Sequence, residues 1–545
     1  MRLQFASLLT LGLLISMLFT VVVAFGFVSD YISWPVFLIL PPLLTVVIWL
    51  ISPRISDFMY QWLYKLSWTD TESLRKEHPG AVDFIVAVSA KYNMPVPKIG
   101  IIPDDNPTAF CYGSHRGNGR LVLTRGIFRY LNEDEATSVV AHEMGHIVHR
   151  DFIVMTIATI VVQLLYEMYF ICRMASRGRG GRKAKGPVFM LMIFSYVFYI
   201  ISSYLILYLS RTREYYADEF SARETNQPNA LMNALIKVAY GIVAEKDSKS
   251  THRLLGSTRA LGISDYKVSK ELGVLYLAKL SQGGNATTST FENVFLFDLK
   301  NPWAFIMELS STHPLTAKRL DALEDIALEL KQTPAYRMEE IKKIPVDRNR
   351  MMKNFFVDLF FMYLPKFLFF AGFLSLLIFT GGSILPCLGG ALALFGASII
   401  LQTLYRYSSS PAKPSTVLEA LSDPYASPIR GKPIELQGHI VGRGVPGLIY
   451  SEDMMMQDQT GLIYLNYESI VPVLGNMLFG WTKVERLIGK PVKARGWFLR
   501  HLTTRIELAN ISNGEEVKSH VRIWGIIAGA LLTGIGILMA IPLLS

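Results

Sequence analysis

The sequence predicts a mainly α-helical membrane protein that also carries two smaller soluble domains. Hydrophobic residues make up 51% of the 545 residues, and the mean hydropathy is positive. About seven apolar stretches are long enough to cross a membrane as helices. Mixed strand and helix patterns indicate one α+β domain among them, and regular alternation near the end of the chain indicates one small all-β domain.

The predicted membrane helices are spread along the chain. Two occupy residues 1–52, the next two cover about 152–172 and 188–210, a further pair lies within 355–404, and the last covers 523–544. The first apolar stretch is too long for a secretory signal peptide, and a second span follows it at once. We therefore expect it to stay in the protein as a membrane helix.

Basic residues predict the orientation of these helices. Arg2 precedes the first span, Arg54 and Lys65 follow the second, and the turn between the two spans contains no Lys or Arg. The positive-inside tendency therefore places residues 53–151 on the inner side of the membrane. The connection 173–185 carries six basic residues on the outer side, against that tendency. Either this loop is an exception, or helices three and four do not cross the membrane fully.

A metal-binding pattern lies just before the third span. His142 and His146 are four residues apart, so on a helix they share one face and can reach one ion. Glu143 points to the side, where it can take a proton from a water that zinc has made more acidic. A helix is predicted over residues 132–151 because its first four residues, Asn-Glu-Asp-Glu, form a capping-box pattern. The pattern can also arise by chance, so a third ligand should exist elsewhere.

Candidates for the third ligand differ in their reach. The spacing of metzincins is excluded because positions 149 and 152 carry His and Phe. His149 lies about 10 Å along the helix from His142, too far to share one ion, and is expected on the helix surface. Glu214 and Asp218, after the fourth span, are four residues apart on one helical face. One can bind the ion while the other hydrogen-bonds a ligating imidazole.

Four motifs follow one another in a fixed order. They are residues 106–113, residues 142–146 with Asp151, residues 213–218, and residues 311–314 with Arg319. In this order they resemble the integral-membrane zinc endopeptidases of the HtpX and type I CAAX prenyl protease family, which are gluzincins. The resemblance covers residues 1–330 and implies a zincin-type α+β metalloprotease domain over residues 53–335.

The resemblance also implies a role for individual residues. His142, His146 and Glu214 would bind one zinc ion per chain, and Glu143 would be the catalytic base. His313 would stabilise the negatively charged oxygen of the tetrahedral intermediate. Alternatively or in addition, His313 could cap the helix that follows it.

Further residues would support the ligands or the substrate. Asp218, Asp151 and Arg319 would hold the ligating side chains in place. The residues of the substrate-pairing edge strand would be Ala109, Phe110, Cys111 and Gly113. Thr108, Cys111 and Tyr112 depart from the residues common in the family, which leaves the subsite preference open.

The last third of the chain has a different sequence pattern from the preceding part. After a Ser- and Pro-rich linker, residues 415–518 alternate as short strands with Gly turns, which predicts a small β-barrel with an OB-like fold as one option. The segment lacks a stripe of basic and aromatic residues, so protein interaction or homo-oligomerisation is favoured over nucleic acid. The net charge of +10 comes from basic residues beside the apolar spans, which indicates contact with anionic lipid instead.

These observations converge on one function with two alternatives. The leading hypothesis is a multi-pass zinc endopeptidase of the cell (inner or plasma) membrane that faces the cytoplasm and degrades membrane or misfolded proteins. The widely spaced Cys111, Cys172 and Cys387 fit a reducing compartment. A processing protease for specific, including lipidated, substrates is the first alternative. An inactive membrane scaffold that presents the C-terminal domain is the second.

Overall fold

A computed structural model describes residues 2–26, 35–177, 182–244, 288–379, 384–444, 450–501 and 504–541. These residues fall into two units. The first contains the chain up to Gly241 together with Glu308–Met338, and the second contains the remaining described residues. The turn between the first two predicted spans and residues 178–181 of the basic connection lie outside the described residues.

Long helices make up most of the first unit. In chain order its helices are α1 Arg2–Gly26, α2 Pro35–Tyr64, α3 Thr71–Glu77, α4 Pro79–Lys91, α5 Arg125–Tyr130, α6 Glu133–Val148, α7 Asp151–Arg177, α8 Arg182–Thr225, α9 Pro228–Ala244 and, after α10 Thr288–Lys300 and most of α11 Pro302–Leu309, which belong to the second unit, α12 Thr316–Glu329. Among these, α8 is a continuous helix of 44 residues. The predicted fourth span and the acidic pair that follows it therefore lie on one helix.

A four-stranded sheet packs beside these helices. Its strands are β1 Ser67–Thr69, β2 Lys98–Ile102, β3 Ala109–Tyr112 and β4 Arg120–Thr124. Their order is β1-β2-β4-β3, with β2 parallel to β4 and the other pairs antiparallel. The edge strand β3 lies against α6, because the Cys111 thiol contacts the carbonyl oxygen of Glu143 at 3.4 Å.

Helix α6 begins as the sequence predicts and ends earlier. The Asn132 side chain accepts a hydrogen bond from the Glu135 amide, and the Glu135 carboxylate accepts one from the Asn132 amide, so the capping box forms. The helix ends at Val148, where Arg116 donates a side-chain hydrogen bond to the free carbonyl. Arg150 then adopts a left-handed conformation (φ 60°), so the predicted end at residue 151 is three residues too late.

Six of the described helices are long and apolar enough to cross a membrane. The candidate spans are Pro42–Tyr64, Asp151–Ser176, Gly186–Thr225, Arg348–Ile378, Ile384–Arg406 and Val521–Ala540. A shorter apolar helical stretch covers Leu9–Ala24, within α1. The chain is therefore a multi-pass membrane protein, and the number seven stays a prediction.

The second unit combines membrane-length helices with a barrel. Its further helices are α13 Met338–Lys343, α14 Arg348–Phe379, α15 Ile384–Arg406, α16 Val417–Leu421, α17 Leu474–Phe479, α18 Glu485–Leu487 and α19 Val521–Ala540. Helices α15 and α19 pack backbone against backbone. A Cβ added to Gly396 would lie 2.6 Å from the Gly529 carbonyl oxygen, so only glycine allows this approach.

Seven strands belong to the C-terminal sheet. They are β5 Lys413–Pro414, β6 Lys432–Arg443, β7 Met454–Gln457, β8 Leu462–Asn466, β9 Pro491–Leu499, β10 Arg505–Ser512 and β11 Glu516–Lys518. Five of them close a ring in the order β6-β7-β8-β10-β9, in which β9 returns to β6. Strands β8 and β10 are parallel, and the other neighbours in the ring are antiparallel. A β-barrel therefore exists at the C-terminal end, as predicted.

Candidate metal centre

Three side chains from α6 and α8 converge on one point. His142, His146 and Glu214 each offer a ligand atom, and these atoms all lie within 4.8 Å of one another. The Nε2 atoms of the two histidines are 3.2 Å apart, and each lies 3.6 Å from an oxygen of Glu214. Ligand atoms of a tetrahedral zinc ion, at Zn–N distances near 2 Å, are separated by about 3.3 Å. The spacing of these atoms therefore fits a single metal ion.

The surroundings of the two histidines also fit a cation. Burial lowers the pKa of His146 to about 4, which keeps this imidazole neutral and able to act as a ligand. Burial opposes the charged form of His142 as well, yet hydrogen bonds to Asp218 and Glu214 raise its pKa to about 9. The cluster thus favours one positive charge next to Glu214.

Each imidazole is oriented by a carboxylate behind it. Asp218 Oδ1 lies 2.9 Å from Nδ1 of His142, and Asp151 Oδ2 lies 2.6 Å from Nδ1 of His146. Because a carboxylate oxygen faces Nδ1 in both rings, Nε2 is left to face the ion. Asp218 and Asp151 thus lie next to the imidazoles that the family resemblance expects them to support, and this role stays a prediction.

Arginines hold these two carboxylates in turn. Arg319 donates to both oxygens of Asp218, from Nε at 2.7 Å and from Nη2 at 2.6 Å. Arg213 forms an ion pair with Asp151. All four side chains are buried, so each charge depends on its partner for compensation. Each ligating imidazole is therefore backed by a carboxylate, and each carboxylate by a guanidinium.

A glycine lets the two ligand-bearing helices approach. A Cβ added to Gly145 of α6 would lie 3.3 Å from the Cα of Ala217 and 3.1 Å from the ring of Phe220, both on α8. A hydrogen bond of 2.6 Å from the Ser221 hydroxyl to the Ser138 carbonyl ties the same helices together. Their close packing brings Glu214 to the histidines.

Glu143 lies beside the ligands without joining them. Its side chain is fully buried, and neither carboxylate oxygen has a hydrogen-bond partner among the described residues. Burial raises the pKa of Glu143, while the neighbouring imidazoles of His146 and His142 act in the opposite direction. A buried carboxylate without a partner is costly. Its position beside the cluster suits a group that must accept a proton.

His313 reaches the same site from a different part of the chain. Its Nε2 lies 3.6 Å from Glu214, and its Nδ1 lies 3.0 Å from the Thr312 hydroxyl. The helix that follows begins at Thr316 and has Leu315 as its N-cap, so the alternative prediction of a capping role for His313 is wrong. The imidazole is therefore available to the metal centre.

The predicted substrate strand borders the site. Strand β3 pairs only with β4, so its other edge has no strand partner among the described residues. Side chains of β3 alternate: Cys111 faces α6, whereas Phe110 packs with Tyr60 in the core. Phe110 is completely buried, so only its main chain could contact a substrate. The backbone turns at Gly113, where a Cβ would lie 2.6 Å from the Asn118 carbonyl oxygen.

A cavity of about 340 Å³ adjoins the ligand cluster. Apolar side chains from α2 and α7 form one part of its wall, and polar groups of the metal centre form another. The lining residues include Trp49, Cys111, Phe152, Met155, Arg213 and Glu214. The metal centre therefore opens toward an apolar space between helices that are long enough to span a membrane.

Several residues differ from or exceed the sequence prediction. His149 is half-buried and packs edge-on against Phe220 at 5.6 Å, so its predicted place on the helix surface is wrong. Arg211, to which the sequence analysis assigns no role, donates to the loop that carries His313. The sequence contains a signal for the packing role of Gly145, because glycine inside a helix is unfavourable without a packing reason. The sequence also contains a signal for Arg213, because this residue directly precedes Glu214 in the motif 213–218.

The fold and the site together define a class of protein. A helix with His-Glu-x-x-His and a second helix with a carboxylate form a metal-ligand cluster next to membrane-length helices. Such a cluster is typical of a membrane-bound metallohydrolase. Comparison with known proteins identifies the family.

Residues 82–327 match Peptidase family M48. The protease HtpX homolog of Pyrococcus abyssi is 29% identical over 270 residues, which is 49% of this chain and 80% of the relative. The protease HtpX homolog of Methanothermobacter thermautotrophicus is 30% identical over 190 residues, 35% of this chain and 67% of the relative. The match to the crystal structure of S. mikatae Ste24p covers 59% of this chain and 67% of the Ste24p chain, at 16% sequence identity. Its TM-score is 0.33, which is too low to support a conclusion.

This chain belongs to the HtpX-like M48 family of membrane metallopeptidases. The family resemblance seen in the four sequence motifs is thereby confirmed. The chain is a membrane metalloprotease, and its substrates are polypeptides.

Proposed function

We propose that the chain is a zinc-dependent endopeptidase in which Glu143 activates the attacking water and no covalent intermediate forms. The observation that supports this best is the buried, unpartnered carboxylate of Glu143 beside three converging ligand atoms. Two imidazoles and one carboxylate, from His142, His146 and Glu214, are a typical ligand set for catalytic zinc. Bound zinc would supply a Lewis acid that makes water more acidic and polarises the peptide carbonyl.

The side chains of the site would divide the remaining work. Glu143 accepts the proton of the water as it attacks and passes this proton to the departing amine nitrogen. His313 donates from Nε2 to the carbonyl oxygen as that oxygen becomes negative. Asp218 and Asp151 keep the two ligand imidazoles in the required orientation throughout. Arg319 stabilises the charge of Asp218.

Strand β3 would hold the substrate in an extended conformation. A peptide that adds to its open edge gains main-chain hydrogen bonds along Ala109, Phe110 and Cys111 and ends beside Gly113. Main-chain recognition does not depend on sequence, which suits a protease with many substrates. Side-chain preference would then come from the adjoining cavity.

The apolar wall of that cavity supports membrane or misfolded proteins as substrates. Phe152 and Met155 lie on a candidate membrane span and form part of the wall, where they favour an apolar substrate side chain. We infer a role in membrane-protein quality control, with processing of specific or lipidated substrates as the alternative. We place the protein in the cell (inner or plasma) membrane, and the distribution of Lys and Arg favours a site that faces the cytoplasm.

The C-terminal barrel, we infer, is OB-like. Five closed strands with a helical segment between the third and the fourth support this assignment. We place oligomerisation or protein interaction ahead of nucleic acid as its role, on the composition of residues 415–518.

Two substitutions test the proposal in the full-length protein in detergent. Glu143→Gln should abolish casein cleavage while zinc stays at one ion per chain, because it removes the base and keeps the ligands. Glu214→Gln should lose both zinc and activity. Glu133→Gln on α6 and Glu219→Gln on α8 are the matched controls. Glu133 is exposed, and Glu219 is half-buried and pairs with the exposed Arg223, so both variants should retain zinc and activity.

The outcomes separate the alternatives. Normal cleavage by Glu143→Gln would refute the assigned base. A wild-type protein that binds no zinc and cleaves nothing would instead support the inactive scaffold. Activity that survives removal of zinc by a chelator would refute the metal mechanism as a whole.

A further inference from the structure

The barrel carries an exposed apolar patch on its surface. The patch follows β8 and consists of Val471, Val473, Leu474, Met477, Leu478 and Trp481. The last four recur at helical spacing (i, i+3, i+4, i+7) and share one face of the helical segment that begins at Leu474. Val473 and Leu474 are 69% and 66% exposed, and Trp481 is 61% exposed. Contiguous apolar surface of this kind indicates a binding partner.

The patch is held rigidly on the barrel from behind. Phe479, on the opposite face of the helix, stacks on Tyr467 with ring centroids 3.7 Å apart. The Asn476 side chain accepts a hydrogen bond of 2.8 Å from the Ser469 amide. Val484 and Leu487 are also buried. The apolar side chains of the patch therefore stay exposed, because the opposite face of the helix is already packed against the barrel.

The patch adjoins the start of the last candidate membrane span. The Trp524 indole of α19 donates to the Ser469 carbonyl at 3.0 Å, and the His520 amide donates to the Glu468 carbonyl at 2.7 Å. Trp524 lies three residues into α19, about 5 Å along its axis. The residues just before the patch, Glu468 and Ser469, therefore lie at the level where a membrane-spanning helix enters the lipid. Ile523 and Ile527 on α19 are exposed apolar residues as well, so the apolar surface continues from α19.

Basic residues lie beside the patch. Lys483 and Arg486 are exposed and follow Trp481 in the same helical segment. The acid among them, Glu485, pairs with Arg443 at 2.9 Å. An apolar helix face with tryptophan at its border and positive charge next to it is typical of a segment that lies in the membrane interface. Anionic headgroups complement this charge.

We propose that the patch is buried in the lipid bilayer, at the boundary between headgroups and acyl chains. The barrel is then held against the membrane at two places, by α19 and by the patch. Continuity with α19 and the adjacent basic residues favour lipid over a second copy of the chain, which would require neither.

Fluorescence quenching in lipid nanodiscs tests this placement. The full-length protein, at one chain per disc, would carry a fluorescent probe on a single introduced cysteine, Leu478→Cys. The native cysteines Cys111, Cys172 and Cys387 are buried, and unsubstituted protein treated in parallel gives their background. Leu531→Cys on α19 is the membrane reference, since this side chain is exposed on a candidate span. Gln459→Cys is the matched control, because it lies beyond the far end of β8, about 20 Å from the patch.

Lipids with a quencher on the acyl chain should quench the probe at 478 at least half as strongly as the probe at 531 and leave the probe at 459 unchanged. Equal quenching at 478 and 459 would overturn the proposal. It is also the result expected if a second copy or a substrate covers the patch, because a single chain per disc lacks both.

Lipid charge tests the basic residues separately. Quenching at 478 should increase when anionic lipid replaces part of the neutral lipid. The increase should disappear in a variant with Lys483→Gln and Arg486→Gln. Quenching that is independent of lipid charge would overturn the part assigned to these residues.

Discussion

The guanidinium of Arg211 donates a hydrogen bond to the carbonyl oxygen of Ser311 at 2.8 Å. The same Nη1 atom also donates to the carbonyl oxygen of Glu308 at 2.7 Å. These bonds connect α8, which supplies Glu214, to the loop that carries His313. The relative position of a metal ligand and a candidate oxyanion donor therefore depends on a buried arginine that contacts neither.

Arg211→Met should lower turnover without removing the metal. The substitution keeps an apolar chain of similar length and removes the donors to the loop, so His313 would be less well positioned. Misplacement of a catalytic group by about 1 Å can cost about 100-fold in rate. We expect kcat on a peptide substrate to fall about 10- to 100-fold, with KM and zinc content nearly unchanged.

Arg223→Met is the control for this variant. Arg223 lies on the same helix but is exposed, where it pairs with Glu219 and Glu329. Exposed ion pairs contribute little, so its kcat should change by less than about twofold. Equal losses in both variants would contradict a positioning role for Arg211.

Asp218→Asn should weaken metal binding. The neutral amide is a poorer acceptor for Nδ1 of His142, and it removes the carboxylate charge that Arg319 pairs with at 2.6 Å. Loss of such a support typically reduces metal affinity about 10- to 100-fold. Competition with a chromophoric chelator measures this affinity directly. Asp325→Asn, at an exposed position of α12, should leave it unchanged, and a wild-type affinity in Asp218→Asn would disprove the role.

Local patterns predicted the parts of the fold that depend on neighbouring residues. The capping box at Asn132 and Glu135 needs only four residues, and it forms. Strands β2 and β4 coincide with short runs rich in Ile, Val and Leu. The family followed from the order of four motifs and is confirmed.

The remaining features depend on contacts between distant segments. The end of α6 is set partly by Arg116, which reaches the Val148 carbonyl from 32 residues earlier. His149 is half-buried because Phe220 of α8 packs on it, and the loop before His313 is fixed by Arg211 from about 100 residues away. No periodicity or spacing encodes such contacts. The assigned roles of the site residues remain predictions until they are measured.

Gly145→Ala should disturb the metal centre although the residue binds nothing. Alanine normally stabilises a helix by about 1 kcal/mol relative to glycine. Here its Cβ would lie 3.3 Å from the Ala217 backbone, so α6 and α8 must separate by a few tenths of an ångström. We expect weaker zinc binding and a lower Tm. In Gly12→Ala on α1, where nothing lies within 4 Å, Tm should stay the same or rise. An unchanged or higher Tm in Gly145→Ala would show that α6 and α8 tolerate the added methyl group.

Asp453→Asn should stabilise the barrel at neutral pH. Burial, together with the nearby Glu452 and Glu507, raises the pKa of Asp453 to about 6, against hydrogen bonds from the Tyr464 hydroxyl and the Tyr467 amide. The folded state therefore binds a proton that the unfolded state, with a pKa near 3.8, has already lost. Ionised Asp453 thus costs stability as the pH rises from about 4 to about 6, and the cost is complete above this range.

The size of this effect should depend on pH in a defined way. Asparagine can accept from the Tyr467 amide through Oδ1 and donate from its NH₂ group to the Tyr464 hydroxyl oxygen, and it carries no charge. The gain in the free energy of unfolding at pH 7.5 should therefore be on the order of 2 kcal/mol. The gain should shrink steadily toward pH 4.5, where the carboxyl group is protonated in the folded wild type. Hydrogen exchange of the β7 amides, corrected for intrinsic rates at each pH, measures the difference in the free energy of unfolding between variant and wild type. Glu515→Gln, at an exposed position in the turn between β10 and β11, should give no difference at either pH. A gain in Asp453→Asn that does not vary with pH would mean that packing, and not charge, is responsible.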